Sequence, residues 1–171
     1  LAGRVKGSTT AKSRSGLTTT YDYFYSSSGM DDYPAQVEML NRNIRDTAAP
    51  VISSSQLIRS AKILSMTASK LGLSEDVATY EADIKRVTDA LNRYSWDDES
   101  GYYGYVLHNE DYNPVEIMRT ADGENCNKGL DGIYPVIAGV CNDEQQERIL
   151  SHLKNEKEML SPFGISAVDM T

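Results

Sequence analysis

Residues 21–34 carry the densest set of chemically capable side chains in the chain. Five aromatic residues stand there beside three aspartates, in the order Tyr-Asp-Tyr-Phe-Tyr-Ser-Ser-Ser-Gly-Met-Asp-Asp-Tyr-Pro. Cleavage of a glycosidic bond uses such groups, because one carboxylic acid protonates the leaving oxygen, a second carboxylate activates water or attacks, and aromatic faces stack on sugar rings. An Asx-type turn with exposed tyrosines has the same composition, and this second interpretation stays open.

Asp31 and Asp32 are neighbours, and neighbouring side chains of extended backbone point in opposite directions. The two aspartates are therefore not expected to form the catalytic pair themselves. One is a candidate proton donor, and the other a candidate ligand of a sugar hydroxyl or a support for the loop.

A helical hairpin is the clearest element that could position this loop. The spacing of Leu57, Ala61, Leu64, Ala68 and Leu71 predicts a helix from Ser55 to a stop at Gly72. After Leu73, Ser74 is a candidate cap for a second helix, whose apolar positions are Val77, Tyr80, Ile84, Val87, Leu91 and Tyr94. So short a connection requires the two helices to run antiparallel.

The remaining segments are predicted to be mixed. Residues 1–20 read as a loop or arm, residues 96–101 as a turn, residues 102–107 as a short strand or hairpin arm, and residues 108–128 as irregular. A short helix is expected to follow Pro135, and Asn142 with Gln145 has the spacing of a capping box. Helical hairpins separated by long loops favour an all-α fold, a toroid or a solenoid.

Four segments carry a family resemblance. Ser-Gly-Met-Asp-Asp-Tyr-Pro at residues 28–34 resembles a motif of glycoside hydrolase family 63, the processing α-glucosidases, and trehalases and mannosylglycerate hydrolases have a similar element. Looser similarities occur at residues 96–103, 127–139 and 163–167. The resemblance as a whole extends over about residues 17–171, and its segments occur in the family's order.

The resemblance implies that residues 1–171 are part of an (α/α)6 toroid, the catalytic domain of an inverting, exo-acting α-glucosidase-like enzyme. Asp31 aligns with the family's general acid, and Tyr25, Asp32, Tyr33 and Trp96 are the candidate sugar-binding residues. The family's general base is a Glu nearer the C-terminus, which we expect after residue 171. The motif commonly continues with Arg, whereas this chain has Ala35.

Charge and composition narrow the choice of partners. The 171 residues have a net charge of -8, which disfavours nucleic acid and anionic membrane surfaces as partners, and no apolar run is long enough to span a bilayer. The chain has two cysteines, two histidines and no nucleotide-binding or metalloprotease motif. These features predict that it binds no cofactor and no metal ion. The acidic turn Asp97, Asp98 and Glu99 does not have the EF-hand layout.

The expected partners are a carbohydrate and either the rest of a catalytic domain or a second copy of the chain. Such partners would cover the apolar faces of the hairpin. The alternative functions are a carbohydrate-binding module without turnover and a purely structural helical repeat.

Overall fold

The structure is a computed structural model that describes residues 13–19 and 33–170. These residues are mainly helical and carry small antiparallel sheets. The helices are α1 (Pro34–Asn41), α2 (Val51–Lys70), α3 (Ser74–Ala90), α4 (Tyr134–Ala138) and α5 (Asp143–Leu153). The strands are β1 (Ala48–Ala49), β2 (Trp96–Asp97), β3 (Tyr102–Tyr103), β4 (Val106–His108), β5 (Pro114–Ile117), β6 (Leu160–Ser161) and β7 (Gly164–Ile165).

The described strands form three sheets. In the three-stranded sheet, β4 lies between β1 and β5, with Leu107 opposite both Ala48 and Glu116. The other two are the hairpins β2–β3 and β6–β7. The predicted arm over residues 102–107 is confirmed by β3 and β4, but the prediction that residues 108–128 are irregular is wrong at β5.

The antiparallel helical hairpin predicted for this region is present as α2 and α3. Gly72 stands in the connection with φ of 73°, a left-handed conformation that glycine adopts without steric cost. On α3, Val87 is 1% exposed and Ile84 packs against the core, and Leu91, which directly follows the helix, is also 1% exposed. Ser65 Oγ of α2 donates a 2.6 Å hydrogen bond to Glu81 Oε1 of α3, so the two helices are also joined by polar atoms.

The prediction of which face of α2 is buried is only partly right. Leu64 and Leu71 are 37% and 68% exposed, whereas Ile58 is fully buried. Between them, Ala61, Ser65 and Ala68 face the core, and these small side chains let α3 approach closely. The helix is therefore turned so that small residues, rather than Leu64 and Leu71, face the core. Apolar side chains that remain on its outer side include Ile63 and Met66.

Helix α2 also begins earlier than the predicted Ser55, and α1 has no counterpart among the predicted elements. Val51 and Ile52 form the first turn of α2 and are buried. Pro50 occupies the cap position in an extended conformation and has no side-chain hydrogen bond to offer. The first N–H groups of α2 must therefore find acceptors elsewhere in the fold.

Residues 13–19 have no regular secondary structure, yet they pack against the rest of the chain. Leu17 is 1% exposed. The Ser15 hydroxyl lies 2.8 Å from His108 Nε2, and His108 Nδ1 lies 2.8 Å from the Thr47 carbonyl oxygen, to which it must donate. Burial lowers the pKa of His108 and so favours the neutral ring, whose Nε2 accepts the serine proton. This contact ties the segment to strand β4.

The predicted capping box of α5 is confirmed in both directions. Gln145 N–H donates to Asn142 Oδ1 at 2.8 Å, and Asn142 N–H donates to Gln145 Oε1 at 3.0 Å. The predicted cap at Ser74 is wrong, because Leu73 occupies the cap position of α3 and no side chain caps that helix.

Within the described residues, no helix has both the length and the apolar character that crossing a bilayer requires.

The two candidate caps make a matched pair of variants. Asn142→Ala removes the side-chain acceptor of the capping box and should lower the free energy of unfolding by roughly 0.5–2 kcal/mol. Ser74→Ala removes a hydroxyl that caps nothing, so its effect should stay within about 0.5 kcal/mol of zero. Urea denaturation of both variants measures the difference. Equal losses would contradict the assignment of the cap to Asn142.

Candidate functional site

The structure describes two of the five predicted site residues. Tyr33 and Trp96 lie within the described residues, whereas Tyr25, Asp31 and Asp32 lie outside them. The role of Asp31 as the acid therefore stays a prediction. What the structure establishes is the surroundings of Tyr33, the residue at which the segment carrying both aspartates joins the described fold.

Tyr33 is anchored in the core at the start of α1. It holds the cap position before Pro34 in an extended conformation and is 6% exposed. Its hydroxyl lies against Gly129, where a Cβ atom would collide with it. Absence of a side chain at Gly129 thus makes room for the tyrosine. The contact of Tyr33 with a sugar stays a prediction, and the structure adds this anchoring role.

Gly129 opens a tight turn that a second tyrosine also contacts. A 3₁₀ turn follows it, Leu130–Ile133. The Tyr102 ring packs where a Cβ atom of Gly132 would be, and the Tyr102 hydroxyl donates to the Gly129 carbonyl oxygen at 2.6 Å. Two glycines three residues apart therefore let two tyrosine side chains pack directly on the backbone of the turn.

Asp131 lies inside this turn and is completely buried. Its Oδ1 accepts a 2.6 Å hydrogen bond from the Ile52 N–H at the start of α2, and its Oδ2 accepts one from the Tyr105 hydroxyl. Asp131 thus supplies the cap that Pro50 cannot supply. An anionic side chain at the N-terminus of a 20-residue helix also interacts favourably with the helix dipole.

The environment of Asp131 changes its acidity. Burial raises the pKa of Asp131 to about 7, although the hydrogen bonds from Tyr105 and from the Ile52 N–H oppose that rise. The carboxyl group consequently changes its charge close to neutral pH. Perturbed groups of this kind concentrate at functional sites.

The Tyr33 hydroxyl completes this group of side chains. It makes no hydrogen bond of regular geometry among the described residues. Burial raises the pKa of Tyr33, the nearby Asp131 charge raises it further, and the Asp131 backbone N–H opposes the change. We call Asp131, Tyr33, Tyr102 and Tyr105 the Asp131 cluster.

Trp96 lies on β2 and is half-buried. Its ring meets the Tyr103 ring edge to face, with centroids 5.0 Å apart, and the Arg148 guanidinium lies 5.4 Å from its centroid. Its Nε1 donates to Asp98 Oδ1 at 3.1 Å. The ring therefore packs within the fold, and its stacking on a sugar stays a prediction.

The acidic turn that follows Trp96 is held by ion pairs. Arg119 Nη2 lies 2.9 Å from Asp97 Oδ1, and Arg148 Nη1 lies 3.0 Å from Asp98 Oδ1. Across residues 13–19 and 33–170, no three His, Cys, Asp or Glu side chains converge as ligands of a metal ion.

Sequence reasoning missed Asp131 and Tyr105. A usable signal was present: a single acid inside the apolar segment 130–140, flanked by Gly129 and Gly132. An acid in such a segment must be paired when it is buried. Its partners, however, come from residues 52 and 105, which the local pattern does not reveal.

Comparison with known proteins identifies the family. Residues 5–171 match the family model of the mannosylglycerate hydrolase MGH1-like glycoside hydrolase domain. The chain belongs to this glycoside hydrolase family. The resemblance to glycoside hydrolases is therefore confirmed, while membership of family 63 in particular stays a prediction.

Solved structures support the helical fold class. Neutral trehalase Nth1 from Saccharomyces cerevisiae is similar over 74% of this chain and 22% of its own, with a TM-score of 0.53 and 17% sequence identity. The chain thus spans about a fifth of that trehalase's length. No curated protein matches the chain. The residues that the family model matches include all four members of the Asp131 cluster.

The three tyrosines of the cluster differ in what their hydroxyls do, which allows a graded test at pH 8. Tyr105→Phe leaves a buried carboxylate oxygen unpaired and should lower the free energy of unfolding by roughly 1.5–3 kcal/mol. Tyr102→Phe loses a neutral hydrogen bond, worth about 1 kcal/mol, and Tyr33→Phe should change stability by less than about 0.5 kcal/mol. Urea denaturation gives the three values. A loss for Tyr33→Phe as large as that for Tyr105→Phe would contradict the geometry.

The raised pKa of Asp131 predicts a pH dependence of stability. Between its ordinary value of 3.8 and about 7, the folded state holds a proton on Asp131 that the unfolded state has released. The contribution of this group therefore falls as the pH rises through that window. Asp131→Asn removes the effect, so the variant should gain stability relative to wild type from pH 4 to pH 7.

Asp97→Asn is the matched control. Burial pushes the pKa of Asp97 upward, but the Ser100 hydroxyl and Arg119 outweigh burial and hold that pKa below its ordinary value. This carboxylate stabilises the fold above its unfolded pKa, so Asp97→Asn should instead lose stability relative to wild type as the pH rises through the range in which aspartate ionises. Both comparisons use denaturant unfolding across pH. A flat difference for Asp131→Asn would show that Asp131 does not titrate as inferred.

Proposed function

We propose that this glycoside hydrolase domain belongs to an inverting, exo-acting enzyme that hydrolyses an α-glucosidic bond of an oligosaccharide or a small glucoside. The observation that carries the proposal is the family match over residues 5–171, which includes the motif at residues 28–34. The likeness to the trehalase fold supports an (α/α)6 toroid as the complete catalytic domain.

Asp31 is the proposed general acid. Protonation of the leaving oxygen needs a carboxyl group held in one place, because its proton must meet that oxygen in the transition state. Tyr33, two residues later, is seated against Gly129 and keeps the end of the acid-bearing segment in register with the core. Asp32, Tyr25, Tyr33 and Trp96 are the proposed sugar-binding residues.

Inversion needs a second carboxylate that activates water. We propose that it comes from a segment following residue 171 in the full-length enzyme, since the chain spans only 22% of the trehalase's length. The same segment, or a second copy of the chain, would cover the outer apolar side chains of α2, of which Met66 is 66% exposed.

A panel of candidate substrates, assayed with the full-length enzyme, identifies the substrate. Trehalose, mannosylglycerate, maltose and glucose-terminated oligosaccharides test the sugar and the linkage, and proton NMR of the first product reports its anomeric form. Release of β-glucose from an α-glucoside supports the proposal. Release of α-glucose would contradict inversion, and binding without release would favour a carbohydrate-binding module.

Asp31→Asn tests the acid directly. The amide cannot donate the catalytic proton, so kcat on glucosides with poor leaving groups should fall by roughly 10²–10⁴-fold. Nitrophenyl glucosides should lose much less, because their leaving group needs little protonation. Asp32→Asn is the matched control. It should have the smaller effect on the ratio of kcat for poor leaving groups to kcat for nitrophenyl glucosides. A larger effect of Asp32→Asn would exchange the two roles.

A further inference from the structure

Four parts of the chain meet at the Gly129–Gly132 turn. Ile52, in the first turn of α2, donates to Asp131, and Tyr105, just before β4, donates to the same carboxylate. Leu130 N–H donates to the Ala167 carbonyl oxygen at 2.9 Å, which joins the C-terminal segment to the turn. Tyr33 packs on Gly129 from the opposite end of the sequence.

A carboxylate at the centre of this junction is energetically unfavourable compared with an uncharged group. Taking an ionised carboxylate out of water costs several kcal/mol unless its partners recover that energy, and apolar or amide replacements are often at least as stable. An amide would cap the Ile52 N–H equally well. The raised pKa of Asp131 reflects the same cost.

Asp131 does have a strong effect on geometry. Its two oxygens bind donors from two distant parts of the chain, one a backbone N–H and one a phenol, so the side chain cannot rotate without breaking one of these hydrogen bonds. Because Asp131 and Gly129 belong to one tight turn, fixing the carboxylate also fixes the backbone surface on which Tyr33 lies.

We propose that Asp131 is a positioning residue for the glycosidase reaction: it locks the turn that seats Tyr33, the residue two positions after the proposed acid Asp31. This role rests on the proposed function, in which Asp31 donates the proton. Asp131 is enclosed by protein and acts through Tyr33, without touching the substrate.

We call the kcat on a glucoside with a poor leaving group, divided by the kcat on nitrophenyl glucoside, the leaving-group ratio. A change in this ratio separates loss of positioning from general damage to the fold. Asp131→Ala frees the turn, and misplacement of an acid by about 1 Å can cost 10²-fold in rate. We expect kcat of the full-length enzyme on a glucoside with a poor leaving group to fall roughly 10- to 100-fold, with KM nearly unchanged. The kcat on nitrophenyl glucoside should fall much less.

Two further variants act as controls. Asp131→Asn keeps both contacts, since its oxygen accepts from the Ile52 N–H and its amide donates to the Tyr105 hydroxyl, and its ratio should stay close to wild type. Ile149→Ala creates a cavity at a fully buried site on α5. It should lower Tm and leave the ratio unchanged.

The outcomes are distinct. If Asp131→Ala does not fold, Tyr105→Phe removes one of the two contacts and should shift the ratio in the same direction. An unchanged ratio in every variant that frees the turn, or an equal shift in Ile149→Ala, would overturn the positioning role. Asp31→Asn, assayed alongside, tests the proposed function separately, because a normal ratio in that variant would refute the acid whatever Asp131 does.

Discussion

The hydrogen bond from the Ile52 N–H to the buried Asp131 carboxylate is the interaction on which the described structure depends. Helix α2 starts at Val51 after a proline that cannot cap it, so its first N–H groups need an acceptor from elsewhere. Asp131 provides that acceptor from 79 positions further along the chain. The same carboxylate binds Tyr105, so one acid joins the start of the long helix to the residue just before β4.

Close approach of backbone and aromatic rings makes this arrangement possible. Gly129 and Gly132 leave space that Tyr33 and Tyr102 fill, and any larger side chain at either position would displace a ring. The same principle operates on α2, whose buried face carries the small side chains of Ala61, Ser65 and Ala68. Here the absence of side-chain atoms determines packing as much as their presence does.

A glycosidase needs a proton donor in a fixed position, and a surface loop without further contacts is too mobile to provide one. In this family member, the segment with the predicted acid joins the core through Tyr33, which is buried against Gly129 in a turn that the Asp131 hydrogen bonds hold in place. Rigidity at this junction comes from residues distant in the sequence. The stability of the turn and the placement of Tyr33 are therefore linked.

The sequence by itself determined the features that arise from neighbouring residues. The capping box of Asn142, the hairpin stop at Gly72 and the inward stripe of α3 follow from spacings of three or four residues, and the structure has all three. The motif at residues 28–34 indicated a glycoside hydrolase, and the family match confirms that class. Only the tertiary structure decided the start of α2, the rotation that exposes Leu64, and the burial of Tyr33. Each depends on contacts between residues far apart in the chain, which leave no periodic signal in the local sequence.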